Sequence, residues 1–258
     1  MKPIYNYIII LGFLYTFISI ACNKTSDEPS ITPLTKEEKA RIKDVLIADT
    51  SLIKYCGVEI LSAKHVSIYE KCITLRLFPD QPLLANGIRS EVTVNYPYKE
   101  HDVVVYEWEM LLPKWFNCDE ENRWWLMGQW HDQPDKSKGE TWDNYPSDNP
   151  PIYMCFMCID EKFYLSPNYP DKESFLKNFV YIEPEKWIKL KFEIKWSRES
   201  DGYMKLFVNN EQEPYTTFTG HNMNNAYYHY LQLGMYRDPD IQTKNILSIK
   251  AVNVYSIE

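Results

Sequence analysis

The sequence predicts an all-β fold, an antiparallel β-sandwich of the jelly-roll type with one short N-terminal helix. From Cys56 onward, apolar side chains recur with a period of two, which indicates strands with one buried face. The strands are short, their connections are long, and no segment alternates strand with helix as parallel sheets require. We favour a jelly roll among the possible sandwiches because its concave sheet can hold a polymer across several strands.

Residues 1–21 predict a signal peptide. Lys2 supplies one positive charge ahead of an apolar run from Ile8 to Ile20, and the small residue Ala21 ends that run. A short apolar run with a small residue before the cleavage point is typical of a secretory signal and not of a membrane span.

Cys22 follows the signal directly, as in a bacterial lipobox, although Ser19 stands where that motif prefers leucine. We expect Cys22 to carry lipid and to become the new N-terminus; an ordinary cleaved signal with an incidental cysteine is the alternative. Residues 22–34 are polar and predict a flexible tether. Within them, Ser26-Asp27-Glu28 resembles a surface-export signal. We therefore expect a cell-envelope lipoprotein at the outer membrane or surface of a Gram-negative bacterium.

Residues 35–258 predict a single domain, since one all-β domain commonly runs to about 200–250 residues. The formal net charge of −8 argues against nucleic acid as a partner, but a local basic patch can still bind an acidic sugar. Aromatic residues make up 15% of the chain, which suits both buried sheets and sugar-binding clefts. We expect a monomer that touches a membrane only through its lipid anchor.

The cysteines that remain without Cys22 are odd in number, so they cannot all pair. Cys155 and Cys158 have a spacing that metal and redox sites use, but they lie in the apolar run 152–159. Positions three apart in a strand face opposite sides, and no second cysteine pair or nearby histidine completes a site. We expect both to be buried free thiols.

One helix is predicted near the N-terminus, where Thr35 and Glu38 form a capping-box pattern ahead of an apolar run that reaches Ile47. A long polar loop, residues 131–151, is expected to form a rim of the functional site. The predicted strands cover residues 65–69, 72–77, 87–94, 103–112, 124–130, 152–159, 162–165, 187–196, 203–208, 226–237 and 246–257.

The central strand carries a candidate site. Gln129 and His131 lie two residues apart, so they project from one face while Trp130 points into the packing. Arg89 and Glu91 share a face of an earlier strand by the same rule. We expect these strands to present their polar side chains to one groove.

Together with Tyr236 from a strand near the C-terminus, these side chains suit the β-elimination of a uronic acid polymer. Elimination needs the uronate carboxylate neutralised, the C5 proton removed and the leaving oxygen at C4 protonated. Arg89 can bind the carboxylate through its planar fork, and Gln129 can donate to it and stabilise the developing charge. His131 suits proton abstraction near neutral pH. Tyr236 can serve as the acid, or as acid and base if nearby positive charge favours its phenolate.

Each of these residues also has a structural interpretation. A histidine beside Trp130 is more often structural than catalytic, and Arg89 and Glu91 can simply pair with each other. We expect Glu91 to hold Arg89 in place. The combination of the residues points to the chemistry more specifically than any one of them.

Three motifs, RSEV at 89–92, QWH at 129–131 and YLQLGMYR at 230–237, resemble in order those of jelly-roll polysaccharide lyases. They are most similar to the heparin lyase I-like family, and jelly-roll alginate lyases have a similar trio. The resemblance spans roughly residue 60 to the C-terminus. It implies a polysaccharide lyase with carboxylate binding by Arg89 and Gln129, His131 as base and Tyr236 as acid or base. The further substrate-binding residues we expect are Gln232, Tyr230 and Glu91.

One position departs from the family pattern, because Gln232 stands where the pattern has lysine. A lysine there would help hold Tyr236 as phenolate and would bind anionic substrate through its charge. Arg89 can compensate in part, whereas Arg237 should face the opposite side of the strand.

Other functions are open on sequence alone. The alternatives are a non-catalytic carbohydrate-binding jelly-roll lipoprotein, a structural surface lipoprotein, and a glycoside hydrolase that uses Glu107 and Glu109 as a carboxylate pair. Calcium is often associated with lyases of this class and is a possible cofactor. We assign no metal site, because the loop's acidic residues lack EF-hand spacing. Those residues are Asp132, Asp135, Asp143 and Asp148.

Overall fold

The computed structural model describes residues 31–119, 121–145, 149–170 and 178–257. Two antiparallel sheets enclose one hydrophobic core, so the predicted all-β sandwich with a short helix is confirmed. The predicted signal peptide, Cys22 and the tether as far as residue 30 lie outside the described residues. No helix in the described ranges is long and apolar enough to cross a membrane.

The elements are numbered here in chain order. They are α1 Lys36–Leu46, β1 Cys56–Glu59, β2 Val66–Tyr69, β3 Cys72–Leu77, β4 Ile88–Val94, β5 Val103–Leu111, β6 Trp125–His131, β7 Ile152–Ile159, β8 Lys162–Asn168, β9 Val180–Ile182, β10 Ile188–Lys195, β11 Tyr203–Val208, β12 Thr216–Thr219, β13 Tyr230–Arg237 and β14 Asn245–Ile257.

Helix α1 begins where the capping box predicts. The Glu38 backbone N–H donates to Thr35 Oγ1 at 3.1 Å, and the Thr35 N–H donates to Glu38 Oε2 at 2.8 Å. Such caps contribute about 1 kcal/mol by satisfying N–H groups that have no partner in the first turn. The helix buries Ile42 and Leu46 against β14, β1 and β3.

Every pairing within the two sheets is antiparallel. The first, which we call the site sheet, has the strand order β1-β4-β13-β6-β7-β8-β9. The second, the back sheet, has the order β12-β11-β10-β5-β14-β3-β2. Strands β4, β13 and β6 carry the three motifs and are neighbours in the site sheet, although they lie far apart in sequence.

Trp130 anchors the core between the sheets, as its position between Gln129 and His131 predicts. Its fully buried indole packs on three rings of the back sheet: its centroid lies 5.4 Å from that of Tyr106, 6.1 Å from that of Trp108 and 5.0 Å from that of Phe192. Removing a core tryptophan side chain typically costs about 3–5 kcal/mol. This packing fixes which face β6 turns to the outside, and so fixes the outward direction of Gln129 and His131.

The sequence missed three short strands and the start of one long strand. Strands β1, β9 and β12 have four, three and four residues, too few for a period-two signal. Strand β13 begins at Tyr230 and not at residue 226, because backbone N–H groups ahead of it bond to side chains. The Tyr227 N–H donates to Asn225 Oδ1, and the His229 N–H donates to Tyr98 Oη.

The prediction that Cys158 is a free thiol is wrong, because it forms a disulfide with Cys118. The Asn122 side chain joins the same two segments by bonding both the N–H and the carbonyl of Cys158. The two cysteines are separated by 40 positions, so no local pattern indicates the pair. Cys155 is a buried free cysteine, as expected.

Candidate active site

Cross-strand pairing brings the predicted site residues together on one face of the site sheet. Tyr236 lies opposite Arg89, Gln232 lies opposite Gln129, and Tyr230 lies opposite His131. Directly opposed residues of an antiparallel pair project from the same face. All six side chains line one open groove of about 770 Å³.

The loop after β6 contributes to the rim of this groove, as predicted. Trp142, Asn149 and Pro150 from this loop line it, and so do Arg123 and Trp124 from the segment before β6. Trp142 is 61% exposed. An exposed aromatic face at the edge of a polar groove suits stacking against a sugar ring.

Arg89 is held on three sides. Its Nη1 lies 3.5 Å from Glu91 Oε2 and 3.9 Å from Glu59 Oε2, and its Cζ lies 4.0 Å from the centroid of the Tyr236 ring. Glu91 pairs with Arg89 as the sequence suggests. Arg89 Nε is buried and has no hydrogen-bond partner within the described residues, while the Arg89 side chain as a whole lines the groove.

Glu91 is fully buried and is not among the residues that line the groove, contrary to its prediction as a substrate-binding residue. Its Oε1 accepts a hydrogen bond from Gln129 Nε2 at 3.3 Å. Burial raises the pKa of Glu91 to about 7, although Arg89 acts in the opposite direction. Glu91 therefore positions both Arg89 and Gln129 from beneath the groove.

His131 is oriented by the residue that follows it. Its Nδ1 lies 2.8 Å from Asp132 Oδ1 and 2.9 Å from the Asp132 carbonyl oxygen. Burial alone would lower the pKa of His131, but the hydrogen bonds and the charge of Asp132 outweigh it and raise that pKa. With Nδ1 engaged, Nε2 is the ring nitrogen left for chemistry at the groove.

Asp132 is itself held in place by other side chains, although the sequence analysis assigned it only to an acidic loop. Its side chain is fully buried, and its Oδ2 accepts a hydrogen bond from Tyr145 Oη at 2.5 Å. Asn225 Nδ2 in turn donates to Tyr145 Oη at 2.7 Å. This series of hydrogen bonds from Asn225 to Asp132 restrains the His131 imidazole through its carboxylate partner. Hydrogen-bonded carboxylates orient functional histidines in other proteins in the same way.

Tyr236 lies at the other end of the groove. Its hydroxyl donates to the backbone carbonyl of Ala85, and its ring meets Trp124 with 4.8 Å between centroids. Gly87 provides the space for this arrangement, because a Cβ at that position would overlap both rings. Tyr236 is therefore seated in a slot formed by the turn before β4.

The distance along β13 separates the two proposed proton-transfer groups. Tyr230, opposite His131, and Tyr236 are six positions apart, about 20 Å of extended strand before the bulge after Leu233 shortens it. Gln129 lies between these two ends. A single sugar unit can meet both His131 and Tyr236 only if both side chains lean toward Gln129.

Gln232, at the family's lysine position, is engaged with a residue that the sequence did not single out. Gln232 Nε2 donates to Glu59 Oε2 at 2.9 Å, and Thr93 Oγ1 donates to Glu59 Oε1 at 2.6 Å. Glu59 lies on the unpredicted strand β1, which explains why it was missed. A carboxylate and an amide thus occupy the place where the family pattern puts one positive charge.

Three other residues considered in the sequence analysis lie away from the groove. Arg237 faces the opposite side, as expected, where it is fully buried and donates to the Thr243 carbonyl at 2.8 Å. Glu107 and Glu109 lie on the back sheet and pair with lysines, Lys189 at 3.0 Å and Lys250 at 3.1 Å. Because neither glutamate lines the groove, they do not form a hydrolase pair there.

Two of the acidic loop residues, Asp132 and Asp135, are engaged with protein groups. Asp132 binds His131 and Tyr145, while Asp135 caps the short helix at Lys136–Lys138 through Ser137. Asp148 lies outside the described residues. In the part of the chain that the structure covers, no group of three or more histidine, cysteine or acidic side chains is arranged to hold a metal ion.

Comparison with known proteins gives one family match. A family model described as polysaccharide lyase matches residues 57–250, which includes all three motifs. A search of curated proteins finds no match.

Solved structures with the same fold include three lyases. An endo-β-1,4-glucuronan lyase from the fungus Trichoderma reesei is 13% identical, with a TM-score of 0.53 over 78% of this chain and 87% of that one. Alginate lyase Aly36B in complex with an alginate trisaccharide is 11% identical, with a TM-score of 0.51 over 79% and 88%. The family 7 alginate lyase A1-II′ in complex with substrate is 10% identical, with a TM-score of 0.52 over 76% and 84%. These findings do not support the finer resemblance to heparin lyase I.

Proposed function

The chain belongs to the polysaccharide lyase family, and from that premise we propose that its groove cleaves a uronic acid-containing polysaccharide by β-elimination. One observation carries the proposal: a guanidinium, an amide, an imidazole and a phenol from three adjacent strands line the same groove. These four groups are Arg89, Gln129, His131 and Tyr236. The glucuronan and alginate lyases of the same fold, whose names specify uronate polymers, support this substrate class.

In the proposed reaction, Arg89 and Gln129 hold the uronate carboxylate. Neutralising that carboxylate makes the C5 proton more acidic and stabilises the enolate-like charge that develops. Glu91 limits the motion of both donors, so little reorganisation is needed when the charge appears. Both side chains line the groove, and the second N–H of the Gln129 amide and the N–H groups of the Arg89 guanidinium are the donors proposed for this contact.

His131 then takes the C5 proton on Nε2, and the C5–H electron pair forms the C4–C5 double bond. The C4–O bond breaks, and the leaving oxygen takes a proton from the Tyr236 hydroxyl. The Tyr236 proton is held by the Ala85 carbonyl before substrate binds, which suits a group that enters the reaction as an acid. The hydroxyl must leave Ala85 and turn toward Gln129 as the sugar binds.

Because His131 and Tyr236 lie toward opposite ends of the groove, a second mechanism also needs a test. In that mechanism Tyr236 acts as both base and acid: it removes the C5 proton and then protonates the leaving oxygen. Solvent deuterium exchange at C5 separates the two. If His131 is the base, Tyr236→Phe should still exchange the C5 proton while failing to cleave. If Tyr236 is the base, that variant should do neither.

Activity is tested by following the ultraviolet absorbance of the unsaturated product on a panel of uronate polymers, including glucuronan, alginate and heparin-like chains. We expect absorbance to rise with at least one of them. Binding of a polymer without any unsaturated product would favour the alternative of a non-catalytic carbohydrate-binding lipoprotein.

We also propose that the chain is a lipoprotein of the cell envelope, monomeric and anchored through Cys22. The support is the apolar run that ends at Ala21-Cys22. Cys22→Ser should release the protein from the membrane fraction, whereas Cys72→Ser should leave it there. Unchanged fractionation of Cys22→Ser would contradict the anchor.

A further inference from the structure

A second cavity adjoins the groove and shares one wall with it. This adjoining cleft has a volume of about 550 Å³, and Tyr230 and Trp142 line both it and the groove. The two rings stand edge to face, with 6.4 Å between their centroids. A polymer that lies along the groove past His131 therefore passes directly into the adjoining cleft.

The charges of the adjoining cleft differ from those of the groove. Among its described lining residues, Glu59 and Glu140 carry negative charge and Lys136 carries positive charge, and the remaining polar side chains are uncharged. Thr93, Asn95, Gln133 and Thr141 add amide and hydroxyl groups to the lining. Such a lining can bind the hydroxyls of a sugar but gives no net attraction for a carboxylate.

Glu59 is the residue that fixes this difference. Thr93 and Gln232 each donate to its carboxylate, at 2.6 Å and 2.9 Å, and its side chain is still 39% exposed. Arg89 Nη1 lies 3.9 Å from Glu59 Oε2 but is closer to Glu91. In the proposed reaction Arg89 binds the carboxylate of the uronate that is cleaved. A second uronate placed beyond Tyr230 would therefore meet the negative charge of Glu59, which Thr93 and Gln232 hold in place. Lys136 is the one cation among the described residues of this lining, and it faces two glutamates there.

From this arrangement we infer that the adjoining cleft binds an uncharged sugar unit, so that the preferred polymer places neutral sugars next to the uronate that is cleaved. The inference rests on the proposed β-elimination and specifies its substrate class. Glu59 is the specificity-determining residue, since it repels a uronate in the adjoining cleft without taking part in proton transfer. Like charges brought together at an interface disfavour binding strongly enough to set partner choice.

The test compares two soluble polymers of similar length: a homopolymer of uronate, and a copolymer in which uronate alternates with glucose. We expect wild type to prefer the copolymer by about tenfold or more in kcat/KM, and Glu59→Gln to reduce that preference mainly by lowering KM for the homopolymer. Glutamine keeps one oxygen that can accept from Gln232, and its NH2 group can donate to Thr93 Oγ1, since a hydroxyl can also accept. Lys136→Glu, on an exposed residue, should increase the preference, and Glu107→Gln on the back sheet should leave it unchanged.

Equal kcat/KM for the two polymers in wild type, or a preference that Glu59→Gln and Lys136→Glu both leave unchanged, would overturn the inference while leaving the lyase intact. If neither polymer nor any other uronate chain yields unsaturated product, it is the proposed reaction that fails. Calorimetric dissociation constants of the two intact polymers then decide the inference separately, with tighter binding of the copolymer expected and equal binding contradicting it.

Discussion

The Arg89 guanidinium lies over the ring of Tyr236, with 4.0 Å between Cζ and the ring centroid. The contact joins the residue proposed to bind the substrate carboxylate to the residue proposed to protonate the leaving oxygen. A cation over an aromatic face contributes about 0.5–2 kcal/mol, more when the pair is desolvated.

Tyr236→Phe should nearly abolish cleavage while leaving the groove intact. Phenylalanine keeps the ring under Arg89 and against Trp124 but removes the only hydroxyl proposed to protonate the leaving oxygen. General acids typically contribute about 10²–10⁴-fold, so kcat should fall by that factor with little change in the dissociation constant for the polymer. Stopped assays measure kcat, and calorimetry measures the dissociation constant. A kcat within threefold of wild type would remove Tyr236 from the mechanism.

Asp132→Asn should move the acidic limb of the pH–rate profile to lower pH. A base must be unprotonated to act, and Asp132 raises the pKa of His131. Without that carboxylate, the effect of burial dominates and the pKa of His131 falls. The profile of kcat/KM against pH measures the shift. Tyr227→Phe, which alters a hydroxyl that contacts Tyr228 and not Asp132, is the control; a limb that stays in place would exclude His131 as the titrating base.

Glu91→Gln should weaken the dependence of stability on pH. The folded-state pKa of Glu91, about 7, lies above its ordinary value of 4.5, so the folded state binds this proton more tightly than the unfolded state. Its contribution is fully present below about pH 4.5 and is lost as pH rises through about 7, to a limit on the order of 3 kcal/mol.

Thermal unfolding at pH 5 and pH 8 measures this loss. The decrease in Tm between the two values should be smaller in Glu91→Gln than in wild type. Glu109→Gln, which changes a glutamate paired with Lys250 on the back sheet, should keep the wild-type decrease. Equal decreases in all three proteins would contradict the assignment of a raised pKa to Glu91.

Gln232→Lys tests the departure from the family pattern. A lysine at this position would face Glu59, which now accepts from Gln232 at 2.9 Å, so part of its charge would be neutralised. We expect a modest rise in kcat/KM or a lower pH optimum, and a larger effect when Glu59→Gln is added, since the ammonium is then free to act on Tyr236 and on substrate. The double-mutant cycle measures the coupling. Lower activity in both variants would show that glutamine is the better residue here.

Much of the fold and of the candidate site follows from local sequence. The period-two pattern predicted most strands, and it correctly directed Gln129 and His131 outward and Trp130 inward. The adjacency of β4, β13 and β6 has no local signal, because pairing of distant strands is decided by packing; only the resemblance of the motifs pointed to it. Glu59 was missed since its strand has only four residues.

Other features depended on contacts between segments that are remote in sequence. The disulfide between Cys118 and Cys158 joins a loop to the end of β7. The burial of Glu91 depends on the packing of neighbouring strands, which the sequence does not show. We expected Glu91 to bind substrate, but in the structure it positions Arg89 and Gln129. The role of Asp132 had one signal in the sequence, its position directly after His131. The sequence analysis did not consider that adjacent residues can also pair through their side chains, as His131 and Asp132 do.

The masses of the products test the proposed elimination most directly. A purified uronate oligosaccharide is digested, and the fragments are weighed by mass spectrometry. Elimination predicts fragments whose masses sum to that of the substrate, with one unsaturated end, and no such fragments from the Tyr236→Phe protein. Fragments that together exceed the substrate by one water would identify a hydrolase and contradict β-elimination in this groove.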